Sequence, residues 1–221
     1  MTEKFILFDL DGVIADSERL KGQAFTEACR YYGGKISSEF YPTVIGQPGE
    51  EVIKAFIKAS GANVNASECI QRFKQVYRKL LKQHIKAVPG AGDLLRTLKE
   101  HDWKVGLVSS SGREALNYIV DQLGFRGYFN DIVSAKDVQK HKPAPDLYLK
   151  AMERMNIKPE NGLAIEDTES GIAAAQSAGL KVIALKHDLN NRHDFSKANL
   201  VIDSLEPPKK VLKAIQDLLK F

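Results

Sequence analysis

The amino-acid sequence predicts an α/β fold, a Rossmann-like doubly wound parallel sheet with an inserted α-helical cap domain. Two observations carry this expectation. Short apolar runs, each closed by a polar or glycine-containing turn, alternate with stretches of helical spacing, the pattern of strands joined by crossover helices. Between the first run and the second, roughly ninety residues of mostly helical pattern intervene, far more than a βα crossover needs.

Taken in order, Phe5 to Phe8 is apolar at every position and reads as a strand buried on both faces. The helical insert follows. In it Phe73, Val76, Tyr77, Leu80, Leu81 and Ile85 mark one helix face, with Arg72, Lys74, Arg78, Lys79 and Lys82 largely on the other. The insert ends near Val88, Pro89 and Gly90, which gives a core domain of residues 1–16 and 89–221 and a cap domain of residues 17–88. The joints near Asp16–Ser17 and Val88–Gly90 suit domain closure. Leu94, Leu95 and Leu98 then predict a helix before the strand Val105 to Val108, and Leu116, Ile119, Val120 and Leu123, closed by Gly124, predict the next. The runs Asp131 to Val133, Leu163 to Ile165, Val182 to Leu185 and Leu200 to Ile202 complete the predicted sheet.

Bulk properties narrow the function classes. With 221 residues, 43% apolar and 27% charged, and without repeats or low-complexity tracts, the chain is expected to be an ordinary globular protein and not a disordered one. Met1 to Phe8 leads directly into Asp9 and Asp11, so no signal peptide is expected, and no apolar run reaches membrane-spanning length; a cytoplasmic protein is expected. Cys29 and Cys69 lie 40 positions apart and read as buried free thiols, not as a disulfide framework or a metal site. The net charge is +4, but residues 17–88 carry 12 Lys/Arg against 6 Asp/Glu. A basic segment beside an acidic pocket would draw in small anionic substrates, which is favoured here over a nucleic-acid face.

In open α/β sheets ligands bind beyond the carboxyl ends of the strands, so the residues following each predicted strand are the ones to inspect. The first strand releases Asp9 and Asp11, within Asp9-Leu10-Asp11-Gly12. After the second come Ser109, Ser110, Ser111 and Gly112; after the third, His141-Lys142-Pro143-Ala144-Pro145-Asp146; after the fourth, Glu166-Asp167-Thr168 before Gly171. Each piece alone has an ordinary reading. Asp9 to Gly12 would be a solvated turn, Glu166 and Asp167 a helix cap, Lys142 an exposed lysine, and the serines a helix start. Together, in this order and at one sheet edge, they predict an anion-handling site. Four clustered carboxylates would raise one another's pKa, a difficulty that a bound Mg²⁺ removes, and hard oxygen ligands suit that ion.

This ordered set resembles the haloacid dehalogenase-like superfamily over essentially the whole chain, with its first motif on Asp9-Leu10-Asp11-Gly12, its second on Ser109, its third on Lys142 and its fourth on Glu166-Asp167. The helical insert resembles the cap of the branch that includes β-phosphoglucomutase and phosphoglycolate phosphatase. The resemblance implies a phosphatase that cleaves small phosphorylated metabolites through an aspartyl-phosphate, with Asp9 as nucleophile and Asp11 as general acid and base. It implies Mg²⁺ held by Asp9, the Asp11 backbone carbonyl and Asp167, with Glu166 bound directly or one shell out. Lys142, Ser109, Ser110 and nearby backbone N–H groups would bind the phosphoryl group. Asp11 argues against the dehalogenases of the superfamily, and the intact Lys142 and Glu166-Asp167 argue against a catalytically dead relative.

The cap departs from the mutase. Lys21 stands where β-phosphoglucomutase is expected to carry a His, and Gly49, in Val44-Ile45-Gly46-Gln47-Pro48-Gly49, where an Arg is expected. This favours hydrolysis and leaves Lys21 and Gln47 as cap substrate contacts, with the phosphosugar mutase as the alternative. A further alternative is a non-enzymatic binding protein using the basic cap, disfavoured because Phe73 and Tyr77 fall on the buried side. The partner expected is a small phosphorylated metabolite, without nucleic acid or membrane, in a monomer or weak homo-oligomer. His84, His101, His141, His187 and His193 show no helical metal-pair spacing and are given surface or supporting roles. Trp103 and Phe221 are expected in the core or at its rim.

Overall fold

A computed structural model describes residues 4–220 of the chain. Phe221, expected at the core rim, lies outside the described residues, whereas Trp103 is buried. The chain divides into two compact units, Met1–Ala15 with Ala87–Phe221, and Asp16–Lys86.

The first unit is built on a six-stranded sheet of order β3-β2-β1-β4-β5-β6, parallel throughout. Its strands are β1 (Phe5–Phe8), β2 (Lys104–Val108), β3 (Asp131–Val133), β4 (Gly162–Glu166), β5 (Lys181–Leu185) and β6 (Leu200–Ile202). The chain runs outward from β1 through β2 to β3, returns to β4 on the other side of β1, and runs outward again. The order therefore reverses between β1 and β4, and such a switch point opens a crevice beyond the carboxyl ends of those two strands. Every residue of β1 is fully buried, as a central strand covered on both faces must be. Alternation sends Phe5 and Leu7 to the face covered by α6 (Asp146–Met155) and α7 (Glu169–Ser177), where Tyr148, Met152, Ile172 and Ala175 join them. The helices α4 (Ala91–Glu100) and α8 (Pro208–Leu219) pack against each other and reach β2 and β4 respectively. Between β2 and β3 runs α5 (Arg113–Gln122), ended by Leu123 and by Gly124 in the left-handed conformation at φ +70°.

The second unit packs α1 (Glu18–Tyr31), α2 (Gly49–Ser60) and α3 (Ala66–His84) against one another. Its core is aromatic. The Phe25 ring stacks on Phe73 with centroids 4.0 Å apart and on Phe56 at 5.3 Å, and Phe73 stacks in turn on Tyr77 at 5.4 Å. Arg72, expected on the polar face, is half-buried and lays its guanidinium 4.3 Å from the centre of the Tyr31 ring. Cys29 of α1 and Cys69 of α3 are buried free thiols whose sulfurs lie 3.9 Å apart, a proximity that 40 intervening positions in the sequence conceal.

One ionic node fixes the segment leading from β3 toward Lys142. The Asp137 carboxylate accepts from the Ser134 N–H at 2.7 Å and its hydroxyl at 2.9 Å, pairs with Arg113 of α5, and accepts from Arg154 of α6 at 2.8 Å. Burial acts to raise its pKa, but the Ser134 hydrogen bonds and the two guanidinium groups prevail and hold it at about 2. A folded-state pKa below the usual value near 3.9 means that the stabilisation is complete above about pH 4 and is lost as pH falls through about 2. Asp137→Asn is expected to lower stability at pH 7 by about 1 kcal/mol, since solvent near the node screens part of the full shift. Urea denaturation across pH 2 to 7 checks this: the gap between wild type and variant should close at the acid end of the range.

Candidate active site

The end of β1 delivers two carboxylates to the switch point. The Asp9 N–H donates to the Ile165 carbonyl at 3.0 Å, which extends the sheet ladder by one residue and fixes where the Asp9 side chain leaves the strand. The following turn is closed by Ile14 N–H to Leu10 and Gly12 N–H to Ala15, both at 2.9 Å. Gly12 lies at φ +80°, and a Cβ there would overlap the Asp167 carboxylate, so only glycine lets this loop pass so close to β4. Asp9 and Asp11 are both buried, which excludes the solvated-turn reading.

Lys142 is buried as well. Its ammonium pairs with Asp9, lies 2.6 Å from Glu166 Oε1, donates to the Val108 carbonyl at 3.2 Å, and sits 5.4 Å from the centre of the Tyr148 ring. Burial disfavours the ammonium, but Asp9 and Glu166 outweigh it and hold Lys142 above its usual range. The Tyr148 hydroxyl donates to the same Glu166 oxygen, and burial together with the Glu166 and Asp9 carboxylates pushes the phenol well above its ordinary pKa, so it stays protonated. Glu166 Oε2 accepts from the Asp167 N–H at 3.3 Å. Both Glu166 oxygens are thus engaged with protein groups.

The helix-cap reading of Glu166 and Asp167 also fails. Thr168 performs that task, its hydroxyl accepting from the Gly171 N–H at 3.1 Å at the start of α7. Asp9, Glu166 and Asp167 instead bring one carboxylate oxygen each to within 4.8 Å of one another. One ammonium faces these three carboxylates, and the imbalance registers at Asp9. Burial raises its pKa most, Lys142 opposes, and Glu166 and Asp11 add to the rise, bringing Asp9 to about 7. An all-oxygen, net-negative, buried donor set of this kind fits a hard divalent cation such as Mg²⁺.

Asp11 is held on the opposite flank by the loop after β2. Ser111 Oγ donates to Asp11 Oδ2 at 2.6 Å, while Ser109 Oγ, 3.4 Å from the same oxygen, accepts from the Ser111 N–H at 3.0 Å. The α5 N-cap is Gly112, not a serine. Ser110 is exposed. Of the two serines that reach Asp11, Ser111 makes the shorter contact. His187, given a surface or supporting role from the sequence, takes the supporting one: it follows β5 as the other site residues follow their strands. Its Nε2 lies 3.0 Å from Asp167 Oδ2. Tyr148 carried no signal, since an apolar helix face hides which of its members reaches a carboxylate.

In the second unit Lys21 lies 2.9 Å from Glu18 Oε1, and the other oxygen of the buried Glu18 accepts from the Tyr41 hydroxyl. Gln47 is exposed in the turn entering α2, beside Gly46 at φ +80°.

The chain is similar to several known proteins. A family described as haloacid dehalogenase-like hydrolase matches residues 6–185. A phosphorylated carbohydrates phosphatase of Thermotoga maritima is 28% identical over 97% of this chain and 99% of its own length. A β-phosphoglucomutase of Bacillus subtilis is 31% identical over 82% of this chain and 83% of its own. The crystal structure of CbbY from Rhodobacter sphaeroides in complex with phosphate superposes with a TM-score of 0.82 at 25% identity, covering 94% of this chain and 96% of that one.

The tight seat of Glu166 yields a prediction. A Cβ on Gly171 would overlap the Glu166 carboxylate, which is packed between Lys142 and Tyr148. Gly171→Ala is expected to destabilise the protein by about 1–3 kcal/mol despite alanine's better helix propensity. Equilibrium unfolding in urea measures this; a gain in stability would show that Glu166 is not confined as described.

Proposed function

The chain belongs to the haloacid dehalogenase-like hydrolases, and we propose that it is a magnesium-dependent phosphatase of small phosphorylated metabolites, of the sugar phosphate or phosphoglycolate type, working through an aspartyl-phosphate on Asp9. The observation that carries this reading is the buried convergence of Asp9 with Lys142, Glu166 and Asp167, two residues before an Asp11 held apart by serines.

In the proposed reaction an Asp9 oxygen attacks the substrate phosphorus in line as the ester P–O bond breaks, and Asp11 gives its proton to the leaving oxygen. Asp11 then takes a proton from water, whose oxygen attacks the acyl phosphate, releasing inorganic phosphate and restoring Asp9. Ser109, Ser110 and the backbone N–H groups at the start of α5 donate to the phosphoryl oxygens, and Lys142 neutralises their charge. Asp9, Asp167 and the Asp11 carbonyl would hold Mg²⁺, which when bound supplies Lewis-acid neutralisation of the phosphoryl oxygens. Glu166 holds Lys142 and would meet the ion either directly or one shell out. A nearby cation would also favour the ionised, nucleophilic form of an Asp9 whose pKa otherwise stands at about 7.

Hydrolysis is preferred over phosphosugar transfer because position 21 carries an ammonium bound to Glu18 and not an imidazole. Lys21 and Gln47 are retained as proposed substrate contacts. The identity with a β-phosphoglucomutase keeps mutase activity as the second reading. A nucleic-acid-binding role is disfavoured, since Phe73 and Tyr77 are committed to the aromatic core of the inserted unit.

Phosphate release from a panel of sugar phosphates, phosphoglycolate and nucleotides tests the proposal. Wild type should release phosphate with Mg²⁺, lose activity on chelation and regain it on Mg²⁺ addition, while Asp9→Asn should lower the rate by about a thousandfold or more. Interconversion of hexose phosphates without release would select the mutase. Turnover surviving in Asp9→Asn would overturn both. On the preferred substrate, Ser111→Ala should lower kcat about tenfold with little change in KM, since it positions the acid, whereas Ser110→Ala should act mainly on KM.

A further inference from the structure

Beyond the residues that the catalytic motifs supply, the loop after β5 holds Asp167 from two directions. A short 3₁₀ turn, Asp188–Asn190, follows His187 and is locked by reciprocal hydrogen bonds: the Leu189 N–H donates to His187 Nδ1 at 3.2 Å, and the His187 N–H donates to Asn190 Oδ1 at 2.8 Å. A backbone N–H can only donate, so Nδ1 is the unprotonated nitrogen of the ring. The ring proton therefore sits on Nε2, which donates to Asp167 Oδ2 at 3.0 Å. Asn190, fully buried, spends both protons of its amide on main-chain carbonyls, that of Asp167 and that of Leu185, each at 2.9 Å. The side chain and the backbone of Asp167 are thus each fixed by a residue of one rigid turn. Gly12 closes the arrangement from the third side, since a Cβ there would overlap Asp167 Oδ2 and come within 3.1 Å of His187 Nε2.

We propose that His187, braced by Asn190, is a positioning residue that orients the Asp167 carboxylate and thereby sets the affinity of the site for its divalent cation. The inference rests on the reading of Asp167 as a cation ligand and adds how that ligand is aimed. A carboxylate on a short side chain rotates about its last bond, and a cation gains most from an oxygen already pointing at it. A neutral N–H donor to the other oxygen fixes that rotation without competing as a charge, which is the part outer-shell partners play at metal sites generally.

Isothermal titration of the protein with Mg²⁺, repeated with Mn²⁺ followed by its electron paramagnetic resonance, separates this inference from the reading beneath it. Wild type should bind one ion. His187→Ala should bind it about 10–100-fold more weakly, and His187→Gln, which retains an N–H donor, should recover most of that loss. In turnover assays His187→Ala should need correspondingly more Mg²⁺ yet approach wild-type kcat at saturation. A purely structural role would lower stability without moving the ion affinity. If Asp167→Asn weakens ion binding while both His187 variants bind like wild type, the inference is overturned and the ligand reading stands. If Asp167→Asn binds the ion like wild type, the ligand reading falls and the inference falls with it.

Discussion

The structure of this site depends on one buried ammonium. Lys142 stands between Asp9 and Glu166 in a buried region, and each charge there is tolerable only because the others are present. Without the lysine, three converging carboxylates would lose the ammonium that opposes them, and without either carboxylate partner the ammonium would lose one of the charges that compensate its burial. The surrounding structure keeps it in place. Asp137 and its two arginines fix the segment that leads to Lys142, Tyr148 rises from α6 to share Glu166, and the absent side chain of Gly171 leaves Glu166 its room. The parallel sheet makes the convergence possible, since strands β1 and β4 diverge in connection at the one point where their carboxyl ends are neighbours.

The two units solve different problems with different residues. In the unit that holds the sheet, mostly aliphatic and small side chains, with Phe5 and Tyr148 among them, pack helices onto the strands and give the site a close-packed base. All four residues of the central ion cluster belong to it. The inserted unit instead builds a stacked aromatic core around Phe25, and uses it to hold Tyr41, which binds Glu18, which binds Lys21. A cation fixed by such a chain of contacts is a positioned group and not a wandering surface lysine.

Much of this was legible in the sequence because the relevant physics is local. A strand buried on both faces must be apolar at every position, so Phe5 to Phe8 announces itself, and the functional residues follow at once because the strand ends there. The carboxylates and the serine were readable for the same reason, and the lysine from its place in the ordered set. What the sequence withheld is set by side-chain direction and long-range packing. Ser110 and Ser111 are equivalent as letters, and only the turn after β2 shows that Ser111 meets Asp11. Cys29 and Cys69 become neighbours only when α1 packs on α3. His187 was within reach, since the strand-end rule that exposed Asp9 applies equally to β5, but its partner Asp167 is supplied by another strand.

The central claim is that Asp9 carries the phosphoryl group during turnover. Its most direct test is to quench the enzyme during steady-state hydrolysis, reduce with borohydride, and locate the product by peptide mass spectrometry, because reduction converts an aspartyl phosphate to homoserine. The account predicts homoserine at position 9, dependent on both substrate and Mg²⁺. Rapid turnover with homoserine at another aspartate, or with none at all under conditions that trap acyl phosphates in a control enzyme, would contradict it.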